Sequence, residues 1–523
     1  MAIAEAPEPH LAAESKTQGT ADSARVTSPM QAVARGAFAL LTTQPLTWAT
    51  SLIGVALLPR YLGDVALGQV SLAFTLANIA APVVSLGLLE YLSRSLASRS
   101  PNTERDASVA WLIMTVAAAL AAVLLGLFAH VFQLQVGSTA ILFAAMGQIV
   151  LTPTQGLLLT LLRGSERMGR FAIVSSLTAS ASALIPLLVL VAGGGVNGYA
   201  LATLLVLFGC LVVSWRTSGI RLPRAGFTAP VALALIPAGL PFLGWNLTMQ
   251  FYGQIDRIML GLLAPVQVVG WYAAATRIIG VPVFIPLLIV TPLFPALTRC
   301  REDKHVFRHT LNTSLRGALL VTAPFCAATA AAAPVIPQLL GWPEEFNQTV
   351  LPMTILAPNL TIVAFDMMLG TALMALGRER KWLLVGVIAA VVNPSANVVA
   401  IPFAQSVWGN GSIGCATVAV ITELVMLVGG LILIPRGVLD RALVSIAVRT
   451  LIAGGGFVVI TRLLLGSPLR VELDLAIGTA MFIASLLVLR LVGRSDVRQV
   501  WQFATSLLRS RAGRSAQPLL NHG

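Results

Sequence analysis

Residues 246–277 read NLTMQFYGQIDRIMLGLLAPVQVVGWYAAATR, and the character of the whole chain follows from them. Two apolar runs, parts of predicted helices at 237–262 and 268–296, meet at a short Ala264-Pro265 turn. Each run exceeds the roughly 20 residues that cross a hydrocarbon core. Asn246, Gln250 and Gln254 recur every four residues, with Asp256 and Arg257 near the helix end, so the polar groups form one continuous stripe. Arg277 lies about nine residues into the next helix, roughly 13 Å down at 1.5 Å per residue and close to mid-bilayer. Polar groups at that depth face protein or water, which predicts an internal cavity.

The rest of the chain agrees. Of 523 residues, 57% are hydrophobic and 11% charged, with a mean hydropathy of +0.86, which excludes a soluble globular domain. Stretches long enough to span fall at 36–58, 67–91, 107–128, 138–162, 171–193, 198–215, 237–262, 268–296, 311–334, 351–376, 382–404, 412–434, 443–464 and 475–493. The predicted fold is all-α: fourteen transmembrane helices, as two six-helix repeat lobes around a central cavity plus two C-terminal helices. The expected divisions are a disordered cytoplasmic tail at 1–35, lobes at 36–224 and 225–436, helices 13 and 14 at 437–494, and a cytoplasmic amphipathic tail at 495–523. Residues 1–30 carry no apolar core of a signal peptide.

The net charge of +13 reflects 34 Lys and Arg against 21 Asp and Glu. All the basic residues except Arg60, Arg257, Arg277, Arg462 and Arg470 fall on alternate loops or tails, the same side as both termini. By the positive-inside rule that side is cytoplasmic, so the charge reports topology and not nucleic-acid binding. Near the C-terminus, Val497, Val500, Trp501, Ala504, Leu507 and Leu508 share a helical face flanked by Arg498, Arg509 and Arg511, the pattern of an interfacial helix.

The chain also repeats itself. An offset of 202 pairs Leu62-Gly63-Asp64 with Ala264-Pro265-Val266, Gly68 with Gly270 and Ala73 with Ala275. At 213, Gly164-Ser165-Glu166-Arg167 pairs with Gly377-Arg378-Glu379-Arg380, and at 216 Pro186 and Gly198 pair with Pro402 and Gly414. Matched residues share a predicted side of the membrane, so helices 1–6 and 7–12 form parallel repeats about an axis along the membrane normal, with a cleft between them.

Arg277 needs a counterpart at mid-bilayer, and Asp256, Asp366 and Glu423 are the acids within reach. Asn359 shares a face with Asp366, while Gln44 and Asn78 add polar groups on helices 1 and 2. Arg277, Asn246, Gln250, Gln254, Asp256, Arg257, Asn359, Asp366, Gln44 and Asn78 are therefore the candidate cavity residues. A bland reading stands beside each: Asp256 and Arg257 serve equally well as a local pair at the helix end, and Glu423 as a packing group. Membrane Ser and Thr are uninformative, because small hydroxyls pack and back-bond to helices anyway. Cys210, Cys300, Cys326 and Cys415 are too scattered for a disulfide framework or zinc spacing, and the five histidines fall mostly in tails and loops. No P-loop, H-E-x-x-H or G-x-S-x-G motif is present, and the short loops leave little room for catalytic groups, so the chain reads as a non-enzyme without a cofactor.

Arg60-Tyr-Leu-Gly-Asp-Val-Ala-Leu-Gly68, Asp256-Arg-Ile-Met-Leu-Gly261, Val269-Gly-Trp-Tyr272 and Pro292-Leu-Phe-Pro295 resemble bacterial polysaccharide flippases of the multidrug/oligosaccharidyl-lipid/polysaccharide exporter superfamily. So do Glu345-Phe346, Ala375-Leu-Gly-Arg378 and Gly411-Ser-Ile-Gly414 through Glu423, and the resemblance spans about residues 36–434. It implies transport of an undecaprenyl-pyrophosphate-linked oligosaccharide from the inner to the outer leaflet of the bacterial cytoplasmic membrane, for O-antigen or exopolysaccharide synthesis. Arg277 would then contact the anionic headgroup. The resemblance also implies H+ or Na+ as possible coupling ions, and a polysaccharide polymerase and glycosyltransferases as pathway partners. Helix 1 has no Arg between Arg35 and Arg60, a departure from the arginine-rich first helix of lipid II flippases. A lipid II flippase and a cation-coupled multidrug exporter of the same superfamily are the alternatives.

Overall fold

The computed structural model describes residues 29–98, 102–133, 135–165, 168–218 and 229–465. Every regular element among them is helical. Eleven helical runs are long and apolar enough to cross a membrane, and two of them, Leu46–Ser85 and Gly169–Ser218, are 40 and 50 residues long. A single crossing needs only about 20. Both doubled runs break at glycines in the left-handed region, Gly63 at φ 73° and Gly193 and Gly195 at φ 90° and 61°, where a Cβ would cost roughly 1–2 kcal/mol. The described residues thus hold thirteen crossings, in register with the expected helices 1–13. The helix expected at 475–493, the tail at 1–28 and the amphipathic segment at 496–511 lie outside the described residues.

Numbered by crossing, α1 covers 29–62, and α2 covers 64–85 and continues past a break as Leu88–Ala97. Next come α3 (Thr103–Val131), α4 (Thr139–Gly164), α5 (Met168–Val189) and α6 (Gly195–Ser218). The second set is α7 (Ala229–Leu263), α8 (Val266–Gly280, then Phe284–Arg299), α9 (Lys304–Ala332), α10 (Val350–Leu356, then Asn359–Ala375), α11 (Glu379–Trp408) and α12 (Gly411–Leu433). α13 (Arg441–Leu465) leans on the second set, where the Arg462 guanidinium donates to the Ala330 carbonyl at 3.1 Å and to Thr354 Oγ1 at 2.6 Å.

Local chemistry sets where the helices begin. Ser138 caps α4 by accepting from Ile141 N, Asp303 caps α9 by accepting from His305 N and Val306 N, and Asn410 caps α12 by accepting from Ser412 N. Large side chains point outward, with Leu205, Val399 and Leu451 exposed by 71%, 69% and 72%, the belt a bilayer covers. Among the buried residues, Ala73 and Ala77 of α2, Ala118 and Ala122 of α3, and Ala144 and Ala145 of α4 let helices approach closely, with Leu72, Ile141 and Ile149 filling the space between them.

The two lobes, α1–α6 and α7–α12, meet at both faces of the molecule. On the face that carries few arginines, a Cβ on Gly68 would fall 2.9 Å from the Val266 carbonyl carbon, and one on Gly270 would fall 2.9 Å from that of Asp64. Residues 64 and 68 touch 266 and 270, their own equivalents at the offset of 202, so the pseudo-two-fold axis passes between them. On the arginine-rich face, α2 breaks at Leu86 and Gly87, with φ 48° and 70°. A Cβ on Gly87 would meet Leu243 N at 2.7 Å, so α2 and α7 touch backbone to backbone. Between these two contacts lies the cleft. Trp48 of α1 stacks on Phe284 of α8 with ring centroids 4.2 Å apart, closing one flank.

Candidate functional site

α7 supplies most of the polar groups and divides them between two surroundings. Successive helical residues turn by 100°, so Asn246, Gln250 and Gln254 share a face while Tyr252 and Asp256 point to another. The single stripe expected from the sequence is therefore split. Asn246 and Gln250 face the first lobe, where they line a cavity of about 360 Å³ together with Ser85, Glu90 and Thr152. Gln250 Nε2 donates to the Asn78 carbonyl at 3.1 Å, and Gln148 Nε2 donates to Asn78 Oδ1 at 2.7 Å, so Asn78 ties the lobes together. Gln254 Oε1 accepts from Arg257 Nη1 at 2.7 Å.

The other face of α7 turns into the second lobe. Asp256 accepts from Tyr272 Oη at 2.8 Å and from Asn397 Nδ2 at 3.3 Å. Asn397 in turn donates to Asn393 Oδ1 at 2.9 Å. Tyr252 Oη donates to Glu423 Oε1 at 2.8 Å. Tyr252, Asp256, Tyr272, Asn393 and Glu423 line a cavity of about 230 Å³, together with Arg257, Thr276 and Asn359. Asn359 Oδ1 is buried without a hydrogen-bond partner. Asp366, only 5% exposed, lies against Glu423, and neither of its oxygens finds a donor. Two carboxyl groups thus share a site in the protein interior with no base beside them.

Neither arginine forms an ion pair among the described residues, although Asp256 lies near enough to Arg257 to feel its charge. Arg257 donates to Gln254 and, at 3.3 Å, to Thr276 Oγ1, both neutral. Arg277 has Tyr199 of α6 and Arg257 as its ionisable neighbours, and its Nη1 is buried with no partner. The three ion pairs among the described residues, Arg105–Asp106, Arg301–Glu302 and Arg308–Asp440, all lie on or beside loops of the arginine-rich face. None of Asp256, Asp366 or Glu423 pairs with Arg277. The reason is helical phase: Tyr272 and Thr276 point to Asp256 and Arg257, and Arg277 sits 100° further round α8.

The structure therefore brings together Arg257, Asp256 and Asn359 around one cavity, with Gln254 on Arg257, and Asn246 and Gln250 around the other, with Asn78 bonded to Gln250. Asp366 lies beside the first set without lining the cavity, Arg277 joins it through Arg257, and of Gln44 only the helical backbone is described. Sequence reasoning missed Tyr252, Tyr272, Asn393, Asn397, Gln148 and Glu90. The two asparagines carried a signal, four residues apart in an otherwise apolar helix.

Comparison with known proteins fits this geometry. The family model described as "Polysaccharide biosynthesis protein" matches residues 33–301, more than half of the chain. The model described as "MatE" matches residues 241–399. A probable flippase AglR of Haloferax volcanii is 25% identical over 358 residues, which cover 65% of this chain and 71% of that protein. Among solved structures, the lipid II flippase MurJ in its inward closed conformation superposes with a TM-score of 0.70 at 13% identity, covering 86% of this chain and 97% of that one. An inward-facing multidrug resistance transporter of the MATE family gives 0.57 at 15% identity, covering 74% and 94%. With thirteen described crossings in two lobes and a polar cleft between them, the chain belongs to the polysaccharide biosynthesis protein family and is a flippase-like transporter of the multidrug/oligosaccharidyl-lipid/polysaccharide exporter superfamily.

Proposed function

We propose that the protein moves undecaprenyl-pyrophosphate-linked polysaccharide repeat units from the inner to the outer leaflet of the bacterial cytoplasmic membrane. Both termini are cytoplasmic in this reading, and the product is delivered to a polysaccharide polymerase after glycosyltransferases have built it. One observation carries the reading: Arg257 and Arg277 neighbour each other in the interior with no acid paired to either. A buried guanidinium with an unmet donor costs several kcal/mol, and Asp256 offsets at most one of these two positive charges, so the pair calls for an anion. Guanidinium groups take phosphate oxygens in a fork, so a diphosphate headgroup supplies the missing charge. The glycan occupies the polar cleft while the lipid tail stays in the bilayer.

Coupling belongs to the second lobe in this reading. Asp366 and Glu423 repel one another unless a proton or a cation joins them, so their shared site takes up H+ or Na+ as the cleft changes access. A cation-coupled multidrug exporter is the second reading. It is favoured by the MatE match over 241–399, which spans Asp256 and Asp366. Lipid II is less well served, because helix 1 offers no Arg between Arg35 and Arg60.

The test is reconstitution of the purified protein in proteoliposomes with a fluorescent lipid-linked oligosaccharide, following its accessibility to an external quencher. Wild type should expose the lipid. Arg277→Ala should slow exposure by about 10- to 100-fold, the loss of one or two charge-assisted hydrogen bonds, with insertion and folding intact. A stable Arg277→Ala protein with full activity would remove the headgroup assignment. Transport of a lipophilic cation against an ion gradient, with no lipid exposure, would move the protein to the exporter branch.

A further inference from the structure

Glu90 is the one charged group on the wall of the larger cavity, and nothing in the headgroup or coupling chemistry uses it. It sits in the first turn of Leu88–Ala97, just after the left-handed break at Leu86 and Gly87 that redirects α2. The ordinary explanation for a glutamate there is attraction to the helix N-terminus, often with a capping hydrogen bond. That does not account for this side chain: the helix start receives no side-chain cap, and Glu90 Oε2 is buried with no donor.

The surroundings define what could supply that donor. From α4, Thr152 presents a hydroxyl whose oxygen is also buried and unpartnered, and from α7, Asn246 and Gln250 present amides. Ala81, Pro82, Leu89 and Pro153 complete the wall with apolar surface. A neighbouring cavity of about 230 Å³ shares Leu89, Glu90 and Gly156 and reaches Arg163, but Arg163 forms no ion pair with Glu90 and lies over the Phe171 ring at 6.0 Å. Glu90 therefore lines the cleft with one carboxylate oxygen lacking a donor, and no ion pair among the described residues neutralises it. At about 360 Å³ the larger cavity falls in the range of small-molecule sites.

An ionised carboxylate only accepts hydrogen bonds, whereas amides and hydroxyls both donate and accept. A ligand that fits this set brings at least two donors to one carboxylate, offers acceptors to the amides, and lays C–H faces on prolines and leucine. Adjacent hydroxyls of a sugar ring do all of this. A phosphate does not, because its charge has the same sign as Glu90. We infer that Glu90, Thr152, Asn246 and Gln250 form a glycan subsite that holds a neutral or amino sugar and rejects sugars bearing a carboxylate. The assignment rests on the flippase reading above and extends it to the class of repeat unit: the diphosphate goes to Arg257 and Arg277, and the sugars to Glu90.

The test uses the full-length purified protein and two probe pairs. The first is a neutral trisaccharide and its counterpart with one glucuronate, both free of lipid and diphosphate, titrated by calorimetry. The second is the same two glycans on a fluorescent diphosphate lipid, followed in proteoliposomes. Wild type should bind and flip the neutral member about 10- to 100-fold better, the span expected of hydrogen bonds to a charged group. Glu90→Gln, nearly isosteric, should erase most of that preference. Thr152→Val should weaken the neutral member and leave the preference in place.

Equal handling of both members by wild type would overturn the subsite while leaving the flippase reading intact, as would a preference that survives Glu90→Gln. Loss of flipping for both members alike in Glu90→Gln would also overturn it, since the carboxylate would then serve ion coupling. If neither lipid is flipped but the free neutral glycan binds in a Glu90-dependent way, the subsite stands and the flippase reading falls. If neither lipid is flipped and neither glycan binds, both fall.

Discussion

Replacing Gly68 by alanine should push the two lobes apart at the arginine-poor face. The added Cβ would lie 2.9 Å from the Val266 carbonyl carbon and closer still to its oxygen, whereas ordinary contact begins near 3.4 Å. The oxygen, nearer than the carbon, sets the separation the backbones must make at about 1 Å or more, and neither wall is a flexible side chain that could swing aside. Overpacking of this kind costs roughly 1–3 kcal/mol. The cost falls only on the conformation in which α2 and α8 touch, so it becomes a population shift of about 5- to 150-fold toward a state open at that face. Gly270→Ala, with its Cβ 2.9 Å from the Asp64 carbonyl carbon, should do the same. The double variant should fall short of the sum, because the first substitution already opens the contact. Spin labels at Phe132, just past α3, and at Trp408 of α11, exposed by 59% and 55% near the same face, would report the distance between lobes. Cys210, Cys300, Cys326 and Cys415 would be replaced beforehand. Gly386→Ala, where an added Cβ meets nothing within 4 Å, is the control. A distance distribution in Gly68→Ala that matches the control would refute a sealing role for this contact.

Two further substitutions test the second lobe. Tyr252→Phe removes the donor to Glu423 Oε1 and leaves the carboxyl pair one hydrogen bond poorer; it should cost about 1–3 kcal/mol, read as a lower unfolding temperature in detergent. An unchanged unfolding temperature would show that the bond is not made in solution. Asn410 is 1% exposed, caps α12 through Ser412 N and donates to the Gln348 carbonyl at 2.9 Å. Asn410→Ala should destabilise the protein by about 1–2 kcal/mol without changing substrate preference. A shift in preference would mean that the loop before α10 reaches the cleft.

Much of the architecture was legible because membrane insertion writes it in composition. Apolar runs of fixed length and arginines on alternate loops give span number and order without knowledge of contacts. The cavity was legible in part for the same reason: Gln250 and Arg257 cannot face lipid. What the sequence did not convey is helical phase between neighbours. Asp256 and Gln254 are two residues apart, yet one is held inside the second lobe by Tyr272 and Asn397 while the other bonds Arg257 at the cleft. Glu90 was passed over for a different reason. Its position beside an arginine-bearing loop resembles an ordinary helix end, and only the left-handed turn at Leu86 and Gly87 brings it to the cavity wall.

The duplication explains why the frame was easier to read than the chemistry. Gly68 and Gly270 are equivalents that touch each other, so one constraint acts on both halves and leaves the same residue in each. The groups that carry charge and hydrogen bonds have no such twin. At the offset of 202, Tyr272 corresponds to Val70, Thr276 to Phe74, Arg277 to Thr75 and Gly280 to Asn78. A two-fold site would present an anion with matching charges from both lobes and bind it in two equivalent poses. Here Arg257 and Arg277 come from the second lobe alone, beside the acids Asp256 and Glu423, while Glu90 is the charged group that the first lobe gives its cavity, so the two walls differ in chemistry. A headgroup with a diphosphate at one end and sugars at the other is polar in the same sense. On the proposed reading, the symmetric frame lets the lobes rock about their axis, and the asymmetric lining decides which end of the substrate each lobe would hold.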